Sequence, residues 1–335
     1  MSVNEPATSV IERSDAGIAN EQLPELFIAA DKSARASQKN YFRLLRWELI
    51  LLFSATFLWA ILAPLGTTLA NLAALKICDI SVFGWTIPTS KLSGDIAAGV
   101  IPGLLMAVVL VLMLVRLVRR PDERWRRYRA LAEGVAGIAW RYAMHAQPGE
   151  LPFAAPGSPT GVEAFVAAYE QLYDEAAGLE LPTTGKVVDQ ITARMTEIRD
   201  AKDLVFLRDT YVDGRVDDQL KYYRTRARTF LRGRRRLRAW ILVAVAIAVL
   251  TVPFHGLNIF TTAATALGTW LGAKQYDDLG PSYTKLERDL TLRVTQGRQL
   301  ALDGPDGEDH LARYVHDVES LFEGEHRLWL TRSTH

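Results

Sequence analysis

One cysteine, Cys78, stands in 335 residues, so no disulfide can close within the chain. Residues 1–22 are polar and acidic, without the apolar central run of a signal peptide, and read as a flexible tail. No GxGxxG and no phosphate-loop signature occurs, which removes the glycine-dependent nucleotide cradles. Histidines are few, and His310, His316 and His326 are neither at i, i+4 spacing nor near cysteine, so no zinc-type ligand set is formed. No nucleophile, base and orienting acid can be picked out together. The expectation is a protein that is no enzyme and holds no cofactor and no metal. Strand signals are nearly absent as well, which leaves an all-α fold.

Long apolar runs are what the chain does have. The first pair covers residues 49–65 and 96–118, the second residues 240–252 and 256–273. A hydrocarbon layer about 30 Å thick takes a helix of about 20 residues to cross, and the first pair suits it. The 240–252 run is only 13 residues long, and the 256–273 run carries Asn258 and four threonines, so the second pair is marginal. Basic residues mark one side of each pair. Lys32, Arg35, Lys39, Arg43 and Arg46 precede the first run, and Arg116, Arg119, Arg120, Arg124, Arg126, Arg127 and Arg129 end or follow the second. Between Lys221 and Arg238 lie nine basic residues and no acidic one. The connections inside each pair have no such excess. The positive-inside rule then places both termini and the stretch from 121 to 238 in the cytoplasm, in a multi-pass protein of the inner membrane. Nucleic acid competes poorly for these arginines, because a juxtamembrane position beside anionic lipid accounts for them; Arg119, Arg120, Arg124, Arg234, Arg235 and Arg236 are the lipid-facing candidates.

Helical periodicity organises the rest. Trp125, Tyr128, Ala132, Val135, Ala139 and Tyr142 fall on one face, as do Tyr276, Leu279, Tyr283, Leu286 and Leu290. An offset of 151 residues superposes Trp125 on Tyr276 and Tyr128 on Leu279, a shared architecture at very low identity. Residues 147–160 read as a loop; 162–176, 186–199 and 309–330 read as amphipathic helices; and 201–238 reads as one long helix weakened only by Gly214 and Gly233. The organisation expected is a tail over 1–22, a two-span unit over 23–150, a helical insert over 151–200 and a second two-span unit over 201–335.

Ile191, Met195, Arg199, Tyr211, Arg215, Gln219, Tyr222 and Tyr223, leading into a two-span unit that closes with Val318, Glu319, Glu325 and Trp329, resemble the SLATT domain, the two-transmembrane effector domain associated with SMODS nucleotidyltransferases and SLOG proteins. Ala29, Ala30, Asp31, Gln38 and Tyr41, with Ala132, Glu133, Trp140, Arg141 and Tyr142, resemble another branch of that group. The resemblance implies a homo-oligomeric bacterial conflict effector that permeabilises or perturbs the membrane on a cytoplasmic signal. A nucleotide-signal synthase or sensor would then be a separate protein. The alternative is a non-conducting membrane scaffold that recruits a cytosolic partner.

Within the fourth run, Asn258, Thr261, Thr265, Gly268, Thr269 and Gly272 share a face, which suits either a pore lining or small-residue helix packing. Gly99 and Gly103, with Pro102, offer similar spacing in the second run. Glu133 and Glu319 are expected in ion pairs between helices, Glu48 and Arg116 snorkelling at span ends, and the C-terminal histidines on exposed helix faces. The 221–238 arginines could alternatively receive an anionic nucleotide.

Overall fold

The computed structural model describes residues 17–73, 80–82, 85–87, 89–181, 187–251 and 257–331, with side chains described outside 63–99, 188, 257–258 and 325–331. Cys78 and His255 lie outside the described residues, as do the side chains of Asn258, Glu325, His326 and Trp329. The described residues are all-α apart from one antiparallel hairpin, β1 (Ile80–Val82) with β2 (Trp85–Ile87), paired Ile80 to Ile87 and Val82 to Trp85.

Among the described residues, ten α-helices follow the apolar and amphipathic periodicities: α1 (Glu25–Ala73), α2 (Thr89–Arg119), α3 (Pro121–Ala143), α4 (Gly161–Glu175), α5 (Ala193–Asp200), α6 (Leu204–Tyr211), α7 (Asp218–Leu250), α8 (Leu257–Ala273), α9 (Tyr276–Arg298) and α10 (Gly307–Thr331). The helix that carries the first apolar run extends beyond it, through Ala73. Arg120, at φ 39°, breaks α2 from α3. Asp203 caps α6 by accepting from the Val205 and Phe206 amides, and Thr192 caps α5 through the Met195 amide, so both starts use the short polar residue that leaves fewest orphan N–H groups.

Two compact units result, each assembled from separated stretches: one from residues up to 38, 122–228 and 280 onward, the other from 39–121 and 229–279. The first unit has a dry aromatic core. Trp140, Phe165, Tyr169 and Tyr211 are fully buried, with Trp140 edge-on to Tyr211 at 5.5 Å and Tyr211 edge-on to Tyr314 at 6.0 Å. Such edge-to-face pairs add about 0.5–1.5 kcal/mol each beyond the area they bury. The two seams fold as their spacing predicts. Tyr128, Ala132, Val135, Ala139 and Tyr142 are buried along α3, as are Leu286 and Leu290 along α9.

Two expectations give way. The 201–238 helix is not uniform: a π-helical turn, Val212–Asp217, separates α6 from α7. Gly214 sits inside that turn, where a Cβ on Gly17 would come within 2.8 Å of its Cα, so both glycines are there for close backbone approach. The expected tail also ends early. Residues 20–22 form a 3₁₀ turn, and Ile18 and Leu23 are buried in the core because the chain's few apolar residues here find a groove to fill.

The second unit presents its apolar residues outward. Leu104, Leu110, Leu117 and Val118 on α2 and Trp47, Phe57 and Trp59 on α1 are exposed, Val118 to 80%. At roughly 25 cal/mol per Å² of apolar surface, a face of this kind is costly in water and free in lipid. Two stretches, Glu25–Leu62 and Val100–Glu150, are long and apolar enough to cross a membrane, and only 17% and 11% of their most apolar windows are buried. A soluble core helix would show the reverse.

Candidate functional site

α8 is the short helix of the second unit, and its sides are unequal. Leu267, Trp270 and Leu271 are half-buried, whereas Thr261, Thr265, Thr269 and Gly272 are exposed. Trp270 meets Phe42 of α1 edge-on at 5.8 Å, and the Lys274 ammonium lies 3.7 Å above the Phe42 ring, so the aromatic side holds α8 in its unit. The opposite side is open: a Cβ added to Gly268 or Gly272 would meet nothing within 4 Å. The small-residue stripe therefore does not pack inside its own chain. Thr265 Oγ1 donates to the Thr261 carbonyl at 2.9 Å, and Thr269 Oγ1 to the Thr265 carbonyl at 3.0 Å. Each hydroxyl proton is thus used within the helix, and the oxygen lone pairs face outward.

The juxtamembrane arginines divide. Arg119, Arg120, Arg124, Arg235 and Arg236 are exposed, whereas Arg234 is half-buried against Asp277 at 2.6 Å. Arg238 reaches the same carboxylate at 2.9 Å, so two arginines one turn apart on α7 straddle Asp277 at the start of α9. Gly233 beside them is a packing glycine: a Cβ there would come within 3.0 Å of the Tyr276 ring. Glu48 and Arg116 do not snorkel separately. They pair at 3.1 Å and tie α1 to α2, with Glu48 almost fully buried, because each charge is better met by the other than by a path to the surface.

The first unit holds a buried polar cluster around the π-helical turn. Arg215, 2% exposed, makes a two-pronged contact with Glu319, 1% exposed: Nε donates to Oε1 at 3.1 Å and Nη2 to Oε2 at 3.0 Å. Tyr211 donates its hydroxyl to Glu319 Oε1 at 2.9 Å, and the Phe322 ring covers the guanidinium at 5.1 Å. Burial opposes the charge on Arg215, but the Glu319 carboxylate more than offsets it and raises the pKa, so the arginine stays protonated. Burial, reinforced by Glu319, holds the Tyr211 hydroxyl well above its usual range, which keeps it a donor. Glu319 is thus an inter-helix ion-pair partner, as expected. Glu133 pairs instead with Arg129 one turn back on α3, and Arg129 also reaches Asp31 at 3.3 Å.

Further resemblance residues serve the same unit. Arg199 stacks on the Tyr142 ring at 4.5 Å and contacts the Tyr142 carbonyl and Glu150, closing the loop after α3; Arg141 contacts Glu323 and Ser320 of α10. His316 departs from the exposed-face expectation. It is partly buried against Phe153, because α10 lies with that side under the loop after α3. Burial and the nearby Arg141 push its pKa down. Among the described residues no group of His, Cys, Asp or Glu is placed to hold a metal ion. Sequence reasoning passed over Gln147, a buried loop residue, since nothing local distinguishes it from a solvated glutamine.

No curated protein and no solved structure matches the chain. Two family matches lie end to end along it. Residues 82–205 match the SMODS and SLOG-associating 2TM effector domain 3, and residues 211–329 match the SMODS and SLOG-associating 2TM effector domain 1. Effector domains of this kind are associated with conflict and defence systems, and with the outward-facing apolar helices they mark a membrane protein. The chain belongs to the SLATT family, as a tandem of two of its effector domains.

Proposed function

We propose that this protein is a membrane effector of a bacterial conflict system that, without catalysis, forms a pore or perturbs the membrane when a cytoplasmic signal reaches it. Both helix pairs span in this reading, both termini are cytoplasmic, and several copies associate through α8. The observation that carries it is the outward stripe of Thr261, Thr265, Thr269 and Gly272 with the open side of Gly268. Lipid offers nothing to hydroxyl oxygens, so in a bilayer that face is better met by another copy or by water. Small residues let helices approach closely, and a row of oxygens one helical turn apart can replace part of an ion's hydration. The lack of a strong charge on the stripe fits a weakly selective path.

The i−4 hydrogen bonds of Thr265 and Thr269 favour a second reading, a non-conducting scaffold, because they satisfy the hydroxyl protons without water. Thr265→Leu combined with Thr269→Leu separates the two. In cells and in planar bilayers the variant is expected to insert normally and to lose induced leakage. Leakage undiminished in that variant removes the stripe as a lining, and a wild-type protein that never conducts with any cytoplasmic cue leaves the scaffold.

A further inference from the structure

A cavity of about 350 Å³ opens in the first unit between α3, α4 and α10. Its existence follows from small residues on facing helices, Gly137 on α3 and Ala168 on α4 among them, which leave room where larger side chains would interlock. Gln147 lines it. That residue is 2% exposed, yet neither its amide nitrogen nor its amide oxygen has a hydrogen-bond partner. A buried amide left this way costs stability and ordinarily finds a partner. Its position is rigid rather than accidental. The Gln147 backbone N–H donates to Glu150 Oε2 at 3.3 Å, Glu150 Oε1 accepts from the Gly161 N–H at 3.1 Å, and Arg199 holds the same carboxylate. Arg141, on the same wall, keeps a buried Nε–H without a partner.

The charges around the cavity limit what it takes. Glu133, Glu319 and Glu323 line it but are engaged by Arg129, Arg215 and Arg141, and Glu175 accepts from Gln171 at its exposed edge. Carboxylates in excess of guanidinium among the lining residues repel a phosphate, and carboxylates already paired offer little to a cation. What remains unmet is the neutral donor beside the neutral acceptor of the Gln147 amide and one further donor, the Nε–H of an Arg141 whose charge Glu323 already balances, with the Phe322 ring as apolar wall.

We propose that this cavity binds a small uncharged molecule that carries a hydrogen-bond donor next to an acceptor, of the class of primary amides and amino-substituted heterocycles, read by the Gln147 side chain. Glu319 belongs both to the cavity wall and to the clamp on the π-helical turn that leads into α7, which gives an occupant a route to the membrane helices. That consequence rests on the effector reading; the binding itself does not.

Titration calorimetry on the detergent-solubilised full chain, with nicotinamide and adenine as probes and putrescine and inorganic phosphate as charged controls, tests the site. Saturable binding of at least one neutral probe is expected, weakened about 10- to 100-fold by Gln147→Leu, the range for losing a bidentate amide contact. Gln147→Leu is expected to raise the melting temperature of the unliganded protein, since it removes two unpaired buried atoms. Ala168→Leu, which fills the cavity, is expected to abolish binding. Binding of neither neutral probe, tighter binding of a charged control, or unchanged binding in either variant overturns the assignment. A failed leakage assay leaves it standing, and a failed binding assay leaves the pore reading standing.

Discussion

Arg215 and Glu319 are 104 residues apart in the chain and meet as a two-pronged ion pair from which water is almost excluded. The pair fastens the π-helical turn to α10. A π-helical turn is rare and occurs mostly as a single-turn bulge between α-helical stretches, and here Tyr211 and Phe322 complete the clamp. Breaking it from one side leaves a buried charge alone. Glu319→Ala is expected to destabilise the protein by about 3–5 kcal/mol, whereas Arg215→Met with Glu319→Leu together recovers most of that loss. Denaturant unfolding in micelles measures both; equal damage from the single and the double variant would contradict the clamp.

Two helical glycines should respond oppositely to alanine. At Gly297 a Cβ would lie 2.5 Å from the Tyr314 hydroxyl and 2.7 Å from a Val212 methyl, so Gly297→Ala is expected to cost about 1–3 kcal/mol through overpacking. At Gly324 nothing lies within 4 Å, and Gly324→Ala should gain about 0.5–1 kcal/mol from helix propensity alone. Melting temperatures of the two variants decide the point.

His316 sets a pH dependence with a definite sign. Burial first, and Arg141 second, lower its folded pKa below the ordinary 6.5. The unfolded chain therefore binds the proton more readily, so the contribution to stability is complete above about pH 6.5 and is lost as pH falls toward the folded value. Stability measured from about pH 7 to 5 should fall less in His316→Gln than in the wild type. A parallel pair of curves would show that the imidazole is not the group responsible.

The topology has its own test in the native thiol. The proposed topology of four spans and cytoplasmic termini predicts Cys78 on the outer side, so that a membrane-impermeant maleimide should label it in intact spheroplasts. Glu170→Cys in a Cys78→Ser background, on an exposed position of α4, should react only after lysis. Reversed accessibility would invert the orientation.

The two Gly-bearing sites show how far a linear reading carries. Gly214 and Gly233 stand out in the sequence as weak points of one long helix, and both are in fact points of close packing: Gly214 against Gly17 in a π-helical turn, Gly233 under the Tyr276 ring. Likewise the Thr261, Thr265 and Thr269 face was legible from spacing, but whether it packs inside the chain was not. Spacing states which residues share a face and says nothing of what that face meets.

The part legible in the chain alone is local: helices from periodicity, apolar runs from composition, and the family from residues along α1, α3, α5, α6, α7 and α10. Each depends on interactions within one segment or with the solvent around it. That Arg215 finds Glu319, that Glu48 finds Arg116, that Gln147 lies buried and unmet, and that the threonine stripe points outward emerges only when the helices pack. Those facts depend on which distant helices come together, and partner choice is settled by the packing of whole faces rather than by any residue's neighbours in the chain.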